Sequence, residues 1–304
     1  MEKIKLWLRA TRVPFLTATL VPVILGSVAA WHDFNVFSWP LFFLALIGAV
    51  FVHLGVNLSN DYFDHISGND EANKVPTPFS GGSRVIQEKL IPAGQILTAA
   101  ILFFALGASI GLYLNYILPG NTIVILGSIG IFLGLFYTAP PLKIGYNGLG
   151  EIITGIGFGP LMVLGSYFVQ AKVITLSSFF ISIPVAILIA LVLFINEFPD
   201  YEADKKVRKN TIVVLLGKKF SVNVYIAFLA LAYILVIAGS ISGLMPYYTL
   251  IVFFSLPLAY TAIKTLIKNY DKVEELLPAN KATIALHLVF GLLLTAAYAL
   301  DAVF

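Results

Sequence analysis

Residues 39–64 read WPLFFLALIGAVFVHLGVNLSNDYFD, and this stretch decides the fold. The part up to residue 60 contains no Asp, Glu, Lys or Arg, and it is long enough for a helix across a bilayer core, which needs about 20 apolar residues. Apolar and polar residues do not alternate, as they would in a strand of a membrane barrel. The stretch ends in acids and amides, where a charge beside lipid is costly. We therefore predict a membrane helix that carries a polar site at one end.

The composition of the whole chain agrees with a membrane protein. Hydrophobic residues make up 59% of the 304 positions, only 12% are charged, and the mean hydropathy is +0.92. These values lie outside the usual range of soluble domains. The chain has no cysteine, which excludes disulfides, thiolate metal sites and cysteine nucleophiles. The net charge of +3 is no sign of nucleic-acid binding, and we expect neither a nucleic-acid nor a protein partner.

The sequence predicts an all-α, multi-pass membrane protein, a single domain of residues 1–304 with nine membrane-spanning helices around a central cavity. The predicted helices cover residues 13–31, 39–60, 93–114, 121–140, 149–170, 176–196, 220–242, 246–267 and 282–303. Their short connections favour antiparallel neighbours. The first of them follows a basic leader, and we expect it to be a retained helix rather than a cleaved signal.

The basic residues predict the orientation of these helices, because Lys and Arg concentrate in cytoplasmic loops. Of the 19 Lys and Arg residues, only Lys172 falls on the opposite side in this layout. We therefore place the N-terminus in the cytoplasm and the C-terminus outside, in the cell membrane, with membrane lipid as the surroundings. The polar segments after the second and sixth helices, residues 65–92 and 205–220, are predicted to form a cytoplasmic cap.

Two clusters of acids and amides close the second and sixth predicted helices. We call them the first motif (Asn57, Asn60, Asp61 and Asp64) and the second motif (Asn196, Asp200 and Asp204). With 3.6 residues per turn, the spacing places the aligned members of each motif on one helix face. The match between the motifs also suggests two pseudo-equivalent halves, residues 1–140 and 141–304.

Carboxylate and amide oxygens are hard ligands that suit Mg²⁺, which commonly bridges protein carboxylates to substrate phosphates. Both motifs lie at helix C-termini, where the helix dipole disfavours carboxylates unless cations compensate. Two such faces would clamp a doubly phosphorylated group, with basic side chains on the remaining oxygens. The basic candidates are Lys74, Arg84, Lys143 and the cluster 205–209.

Other interpretations remain open at this stage. Acids at a membrane boundary are often solvated helix ends, and this is the interpretation we prefer for Asp70, Glu71 and Glu202. A cation- or proton-coupled transporter would have its acids nearer the bilayer midplane. A purely structural scaffold leaves both motifs unexplained. His53, one turn before the first motif, is expected to be a hydrogen-bonded core histidine rather than a base.

The two motifs together resemble the paired aspartate-rich motifs of the UbiA superfamily of intramembrane aromatic prenyltransferases. The resemblance extends over essentially the whole chain, and further segments that carry it are Arg12-Val-Pro14, Tyr137-Thr-Ala-Pro-Pro-Leu-Lys143 and Gly148-Leu-Gly-Glu151. It implies a nine-helix bundle whose cavity holds a polyprenyl diphosphate, with Mg²⁺ between the motifs. In the family the first motif commonly continues to a further aspartate. Gly68 stands at that position here, and Asp70 is a candidate substitute.

The resemblance also implies roles for individual residues. The implied catalytic residues are Asp61, Asp64, Asp200, Asp204 and Lys143. The implied metal ligands are Asn57, Asp61, Asp64, Asn196, Asp200 and Asp204. The implied diphosphate-binding residues are Asn57, Asn60, Arg84, Lys143, Asn196 and Tyr137. Glycines 127, 130, 134, 155, 157 and 159 are expected either to line a slot for the isoprenoid tail or to let helices pack closely.

The acceptor is also suggested by resemblance. Residues 77–86 together with 196–204 are most similar to the branch of the family that prenylates 1,4-dihydroxy-2-naphthoate in menaquinone synthesis. The alternatives are an enzyme that prenylates 4-hydroxybenzoate and one that prenylates a glycerol phosphate.

Overall fold

In the computed structural model, which describes residues 2–304, the chain folds into helices joined by short loops. The α-helices are α1 Glu2–Ala10, α2 Thr17–Phe34, α3 Trp39–Ser67, α4 Asn69–Ala72, α5 Ala93–Ile117, α6 Thr122–Leu135, α7 Gly150–Ile156, α8 Met162–Ala171, α9 Leu176–Lys206, α10 Ile212–Leu216, α11 Lys218–Ser242, α12 Leu256–Asn269 and α13 Val273–Val303. A stretch of 3₁₀-helix, Tyr247–Ser255, leads into α12. Within residues 2–304 there is no β-strand.

Eight helical segments in the described chain are long and apolar enough to cross a membrane. They are Val13–Phe34, Trp39–Ser67, Ala93–Ile117, Gly150–Ala171, Leu176–Lys206, Lys218–Ser242, Tyr247–Asn269 and Val273–Val303. The remaining predicted helix corresponds to α6, which is apolar but has only 14 residues. The all-helical membrane fold is therefore confirmed. The count of nine crossings and the division into two halves stay predictions.

The helices that carry the two motifs are longer than predicted. We expected them to end at residues 60 and 196, but α3 continues to Ser67 and α9 to Lys206. The motifs therefore lie within continuous helix, and their members do recur on one face. Helix α3 ends at Gly68, whose φ of 76° is left-handed and whose N–H donates to the carbonyls of Asp64 and His65. Gly68 thus has a structural role as the C-terminal cap of α3.

A bulge interrupts the fifth membrane segment. Residues Gly157–Leu161, which include Pro160, form a π-helical turn between α7 and α8. Proline has no N–H to donate, so a local change in hydrogen bonding accommodates it within the helix. Beyond the bulge, α8 packs closely against α2. A Cβ atom at Gly26 would overlap Ser166 Oγ and the Val163 carbonyl oxygen.

The packing is uneven around the bundle. The largest cluster of buried apolar side chains joins α2, α8, α9, α11, α12 and α13, with fully buried Tyr167, Phe198 and Phe290 among its members. Few side chains on the lipid-facing helices α5 and α6 are buried. A cavity lies between the two regions, bounded on one side by α3, α5 and α6.

The contact at Gly26 provides a test of this packing. We expect Gly26→Ala to destabilise the protein by about 1–3 kcal/mol, because the added methyl group meets a backbone carbonyl that cannot rotate away. Thermal unfolding in detergent, followed by tryptophan fluorescence, measures the effect. Gly94→Ala on α5 is the matched control, because a Cβ there has open space around it. Equal stability of the two variants would contradict the close approach of α2 and α8.

Candidate active site

The cavity has a volume of about 500 Å³ and one strongly polar end. Asn57, Asp64, Asn196 and Asp200 line that end, so one pocket joins the two motifs. Away from them the lining becomes apolar. It reaches Leu44, which precedes Asn57 on α3 by nearly four helical turns, or about 20 Å. The cavity can therefore hold a charged group at one end and a long apolar chain along its length.

The glycines predicted for this region divide between the two expected roles. Gly127, Gly130, Gly134 and Gly157 line the cavity. A Cβ at Gly159 would meet Ala186 of α9 at less than van der Waals distance, so this glycine serves helix packing.

In the first motif, Asp61 is held by the segment that precedes α2. Its Oδ1 accepts hydrogen bonds from the Arg12 guanidinium and, at 3.3 Å, from the Ser83 N–H. Arg12 has a φ of 53°, a conformation uncommon for residues other than glycine. This turn brings the guanidinium to Asp61. The guanidinium also donates to Asn60 Oδ1 at 3.3 Å. A buried carboxylate beside lipid thus has a cation as its partner.

Asp64 is surrounded by donors from three parts of the chain. The Tyr146 hydroxyl donates to its Oδ1 at 2.7 Å, and Asn60 Nδ2 donates to its Oδ2 at 3.2 Å. Lys209 Nζ lies 3.6 Å from the same Oδ2. The donors of the first motif are therefore distant in sequence from the motif itself, except for Asn60.

The second motif is held by the segment that follows the first. Asp200 accepts from Asn73 Nδ2 at 2.8 Å and from the Gly81 N–H at 3.2 Å. Asp204 accepts from Asn69 Nδ2 at 2.9 Å. Residues 69–83 thus bond to both motifs, in the region predicted as part of the cap. The membrane side on which this region lies stays a prediction.

Lys209 connects the two motifs electrostatically. Its Nζ is 3.6 Å from Asp64 Oδ2, 3.8 Å from Asp204 Oδ1 and 5.3 Å from the centre of the Tyr146 ring. Burial by itself lowers the pKa of Lys209, but Asp64 and Asp204 outweigh it and raise the pKa well above the usual value. Lys209 therefore carries a permanent positive charge between the motifs.

The structure places the predicted site residues in two groups. Those that line the cavity are Asn57, Asn60, Asp64, Tyr137, Asn196 and Asp200. Those that do not are Asp61, Arg84, Lys143 and Asp204. Asp61 and Asp204 are buried close behind the lining. Lys143 Nζ instead lies 5.3 Å from the centre of the Tyr146 ring, and Arg84 donates to the backbone carbonyl of Asp70. Their roles on phosphate stay predictions.

Sequence reasoning assigned no specific role to Arg12 or Lys209, the two basic residues that do line the cavity beside the motifs. Arg12 appeared only within a family signature and Lys209 only within a basic cluster. The signal that could have found them is the presence of several acids in apolar helices, because each buried acid needs a cation as its partner. The expectation for His53 is met, because it is buried and its Nδ1 lies 2.7 Å from Thr19 Oγ1.

The expectation that Asp70 is solvated is wrong. Helix α3 ends at Gly68 and the chain turns inward, so the Asp70 side chain is only 3% exposed and lines the cavity. Burial, with repulsion from Asp64 and Asp61, raises its pKa to about 8. Gly82 has a φ of 76°, and a Cβ there would lie 2.6 Å from Asp70 Oδ2, so a larger residue would be strained. Asp70 therefore adds a carboxyl group to the site, and its use in place of an acid at Gly68 stays a prediction.

The donor set fits a hard divalent cation. Asp61 Oδ2 is buried without a hydrogen-bond partner among the described residues, which is costly unless a cation compensates. Asp61, Asp64, Asp70, Asp200 and Asp204 outnumber the two cations, Arg12 and Lys209. Within residues 2–304 no three acids, histidines or cysteines converge on one point. Protein oxygens from the two motifs could hold such a cation together with other ligands, as is common for Mg²⁺.

Fold and site together define a membrane-embedded pocket for a charged head group with a long apolar tail. The sequence pattern of the UbiA prenyltransferase family matches residues 19–287, and the chain belongs to this family. It is 33% identical to a 1,4-dihydroxy-2-naphthoate octaprenyltransferase of Bacillus subtilis, over 95% of this chain and 90% of the relative. It is 30% identical to a 2-carboxy-1,4-naphthoquinone phytyltransferase of Synechocystis, over 97% of this chain and 93% of the relative. The resemblance seen in the motifs is confirmed, and the protein is a prenyltransferase.

Solved structures share the fold. A UbiA homolog from Archaeoglobus fulgidus bound to DMAPP and Mg²⁺ superposes with a TM-score of 0.66 at 18% identity, covering 95% of this chain and 99% of the other. A digeranylgeranylglyceryl phosphate synthase gives a TM-score of 0.63 at 21% identity, covering 100% of this chain and 99% of the other. These similarities support the helical arrangement.

The raised pKa of Asp70 predicts a dependence of stability on pH. Between its ordinary pKa of 3.8 and about 8, the folded protein binds more protons than the unfolded chain, so stability falls as the pH rises through this interval. In metal-free buffer, Asp70→Asn should therefore raise the melting temperature more at pH 8.5 than at pH 5. Melting curves of both proteins at the two pH values measure this.

Glu71→Gln is the matched control for Asp70→Asn. Burial raises the pKa of Glu71, but hydrogen bonds from groups that include His65 and Gln87 outweigh it, so the pKa is lowered. Removing this charge should give no gain in stability at pH 8.5. An equal gain from both variants would contradict the burial of Asp70.

Lys209→Met should expose the repulsion between the two motifs. Removing one partner of a buried ion pair costs about 3–5 kcal/mol, and Lys209→Met takes away the cation that lies between Asp64 and Asp204. Lys206→Met is the control, since Lys206 is exposed on the preceding helix. Thermal unfolding at pH 7 should separate the two variants. Equal melting temperatures would show that Lys209 does not bridge the motifs.

Proposed function

We propose that this prenyltransferase transfers a polyprenyl group from an allylic diphosphate to 1,4-dihydroxy-2-naphthoate in menaquinone synthesis. The observation that carries the proposal is the single cavity that joins both acidic motifs to a long apolar slot. The choice of acceptor is supported by the names of the relatives from Bacillus subtilis and Synechocystis, which both act on naphthalene-ring substrates.

The polar and apolar ends of the cavity suit the two parts of a polyprenyl diphosphate. The diphosphate would lie between the motifs, near Asn57, Asn196 and Lys209. The isoprenoid tail would lie along the glycines of α6, where small residues leave room between helices. Burial of the tail contributes affinity that does not depend on the head group.

The proposed cofactor is Mg²⁺, held by oxygens of the two motifs. When bound, it would stabilise the negative charge that develops on the departing diphosphate. The candidate ligands are Asn57, Asp61, Asp64, Asn196, Asp200 and Asp204. The proposal is supported by the excess of acids at the site and by the buried, unpaired Asp61 Oδ2.

The chain itself contributes charge and orientation to the transfer. The C–O bond of the allylic diphosphate breaks, and both electrons leave with the diphosphate, whose growing charge is stabilised by Lys209 and Arg12. The allylic carbocation would form near Tyr137, an aromatic residue of the cavity lining that could stabilise it. A ring carbon of the acceptor then forms the new C–C bond, and the bond from that carbon to its own substituent breaks, so that the substituent leaves as a proton or as CO₂ and its electrons restore the aromatic ring. Exclusion of water by the apolar cavity protects the cation from hydrolysis.

We place the protein in the cell membrane with the N-terminus and residues 69–83 on the cytoplasmic side and the C-terminus outside. The support is the distribution of Lys and Arg, which leaves only Lys172 on the outer side. The site would then open toward the compartment that supplies soluble aromatic acceptors.

The activity is tested by incubating the purified protein in detergent with Mg²⁺, a labelled polyprenyl diphosphate and a panel of acceptors. We expect prenylated 1,4-dihydroxy-2-naphthoate and release of diphosphate. Product from 4-hydroxybenzoate or a glycerol phosphate instead would assign another acceptor. Absence of any product and of diphosphate release would refute the enzymatic role.

Asp61→Asn and Asp200→Asn test the two motifs separately. Each change removes a charge with little change of shape, and we expect turnover to fall on the order of 100-fold in each variant. Glu202→Gln is the control, since Glu202 is an exposed acid on the same helix as Asp200. Full Mg²⁺-dependent turnover in both aspartate variants would rule out a site shared by the two motifs.

A further inference from the structure

The two asparagines that align between the motifs make opposite hydrogen bonds. Asn57 Nδ2 donates to the backbone carbonyl of Thr11 at 3.0 Å. A backbone carbonyl can only accept, so this contact determines which end of the amide points where. Asn57 Oδ1 is left without a donor among the described residues, and Asn57 lines the cavity. The first motif therefore presents an amide oxygen.

Asn196 is oriented by a residue far away in the sequence. Pro199 has no N–H, so the carbonyl of Ile195 loses its helical partner. Asn280 Nδ2, from α13, donates to this carbonyl at 3.1 Å and to Asn196 Oδ1 at 2.8 Å. Because the Ile195 carbonyl requires a donor, the nitrogen of Asn280 faces it, and the atom of Asn196 that it also contacts is the oxygen.

Asn196 is therefore left with a free donor at the cavity. Its Oδ1 is engaged by Asn280, which is 0% exposed. Its Nδ2 has no acceptor among the described residues, and the side chain lines the polar end of the cavity although it is only 8% exposed. The second motif presents amide N–H groups where the first presents an oxygen.

The acids one helical turn further along show the same difference. Asp61 Oδ2 is buried and has no hydrogen-bond partner in the described chain. In Asp200 both oxygens accept hydrogen bonds, one from Asn73 and one from Gly81. Among these aligned pairs, Asn57 with Asn196 and Asp61 with Asp200, the oxygens without a donor belong to the first motif, and the N–H group without an acceptor belongs to the second.

We propose that the two motifs are chemically unequal: Asn57 Oδ1 coordinates a divalent cation, whereas Asn196 Nδ2 donates to a phosphate oxygen of the diphosphate. The inference rests on the proposed function and deepens it. Cations such as Mg²⁺ take oxygen ligands and cannot be bound by an amide N–H, while phosphate oxygens only accept. Asn280 acts as a positioning residue, because it determines which end of Asn196 reaches the cavity. This revises the prediction that both asparagines are metal ligands.

Matched leucine substitutions test the assignment, since leucine has nearly the shape of asparagine. The probes are Mg²⁺ alone and geranyl thiolodiphosphate, a slowly reacting analogue, in titration calorimetry of the full-length protein. We expect Asn57→Leu to weaken Mg²⁺ binding tenfold or more, and to bind the analogue like the wild type once Mg²⁺ is saturating. We expect Asn196→Leu to leave the binding of Mg²⁺ alone unchanged and to weaken analogue binding about tenfold at saturating Mg²⁺.

Asn280→Leu tests the positioning role. Released from Asn280, the Asn196 amide can rotate, so we expect a higher KM for the prenyl diphosphate with kcat little changed and with Mg²⁺ binding unaltered. A merely structural role would lower the melting temperature without this selective effect on KM. Asn57→Asp and Asn196→Asp provide a second measurement. The first should retain Mg²⁺ binding, and the second should still lose affinity for the analogue because an oxygen replaces the donor.

The outcomes separate the inference from the function on which it rests. An equal loss of Mg²⁺ binding in Asn57→Leu and Asn196→Leu would make both residues metal ligands and overturn the inference. Unchanged analogue binding in both Asn196 variants would also overturn it. Failure of the wild-type protein itself to bind the analogue with Mg²⁺ would instead refute the proposed function.

Discussion

The structure depends on the stabilisation of buried carboxylates at one end of two long apolar helices. Four carboxylates are largely removed from water: Asp61, Asp64, Asp200 and Asp204. In the protein interior an unpaired charge is strongly unfavourable. Each is held by hydrogen bonds or a cation from elsewhere in the chain, and Lys209 lies between two of them. The remaining excess of negative charge makes this end of the cavity a site for an added cation. Because these buried carboxylates need donors, the loops around the site are held in place by polar contacts with them.

These contacts join segments that are far apart in the sequence and that hydropathy alone does not relate to each other. The segment before α2 reaches the first motif through Arg12, and residues 69–83 reach both motifs through amide and backbone donors. Asn69, Asn73 and Gly81 occupy oxygens of the second motif. A cation at the second motif would therefore share carboxylates that also hold residues 69–83 in place. In the first motif, Asp61 Oδ2 is buried and has no hydrogen-bond partner among the described residues.

The apolar part of the cavity has a different physical basis. Small residues on α5 and α6 leave space that bulky side chains would fill, and only an apolar ligand can occupy it without leaving polar groups unsatisfied. The opposite side of the bundle is densely packed, as the fit of Gly26 against α8 illustrates. A densely packed side and an open side of the bundle therefore meet at the cavity, with the charged end held by α3 and α9.

The sequence by itself determined the membrane class, the apolar core of each long helix, the shared face of each motif and the family. Hydropathy and a 3.6-residue repeat are local properties, and each is visible within a few helical turns. Only the tertiary structure decided which donors meet these acids, that Asp70 is buried, that Lys143 lies outside the cavity lining, and which end of each amide faces the cavity. Asn280 and Asn196 are 84 positions apart, and no local pattern relates them. Their contact arises because Pro199 frees a carbonyl in α9 and the packing of α13 brings a donor to it.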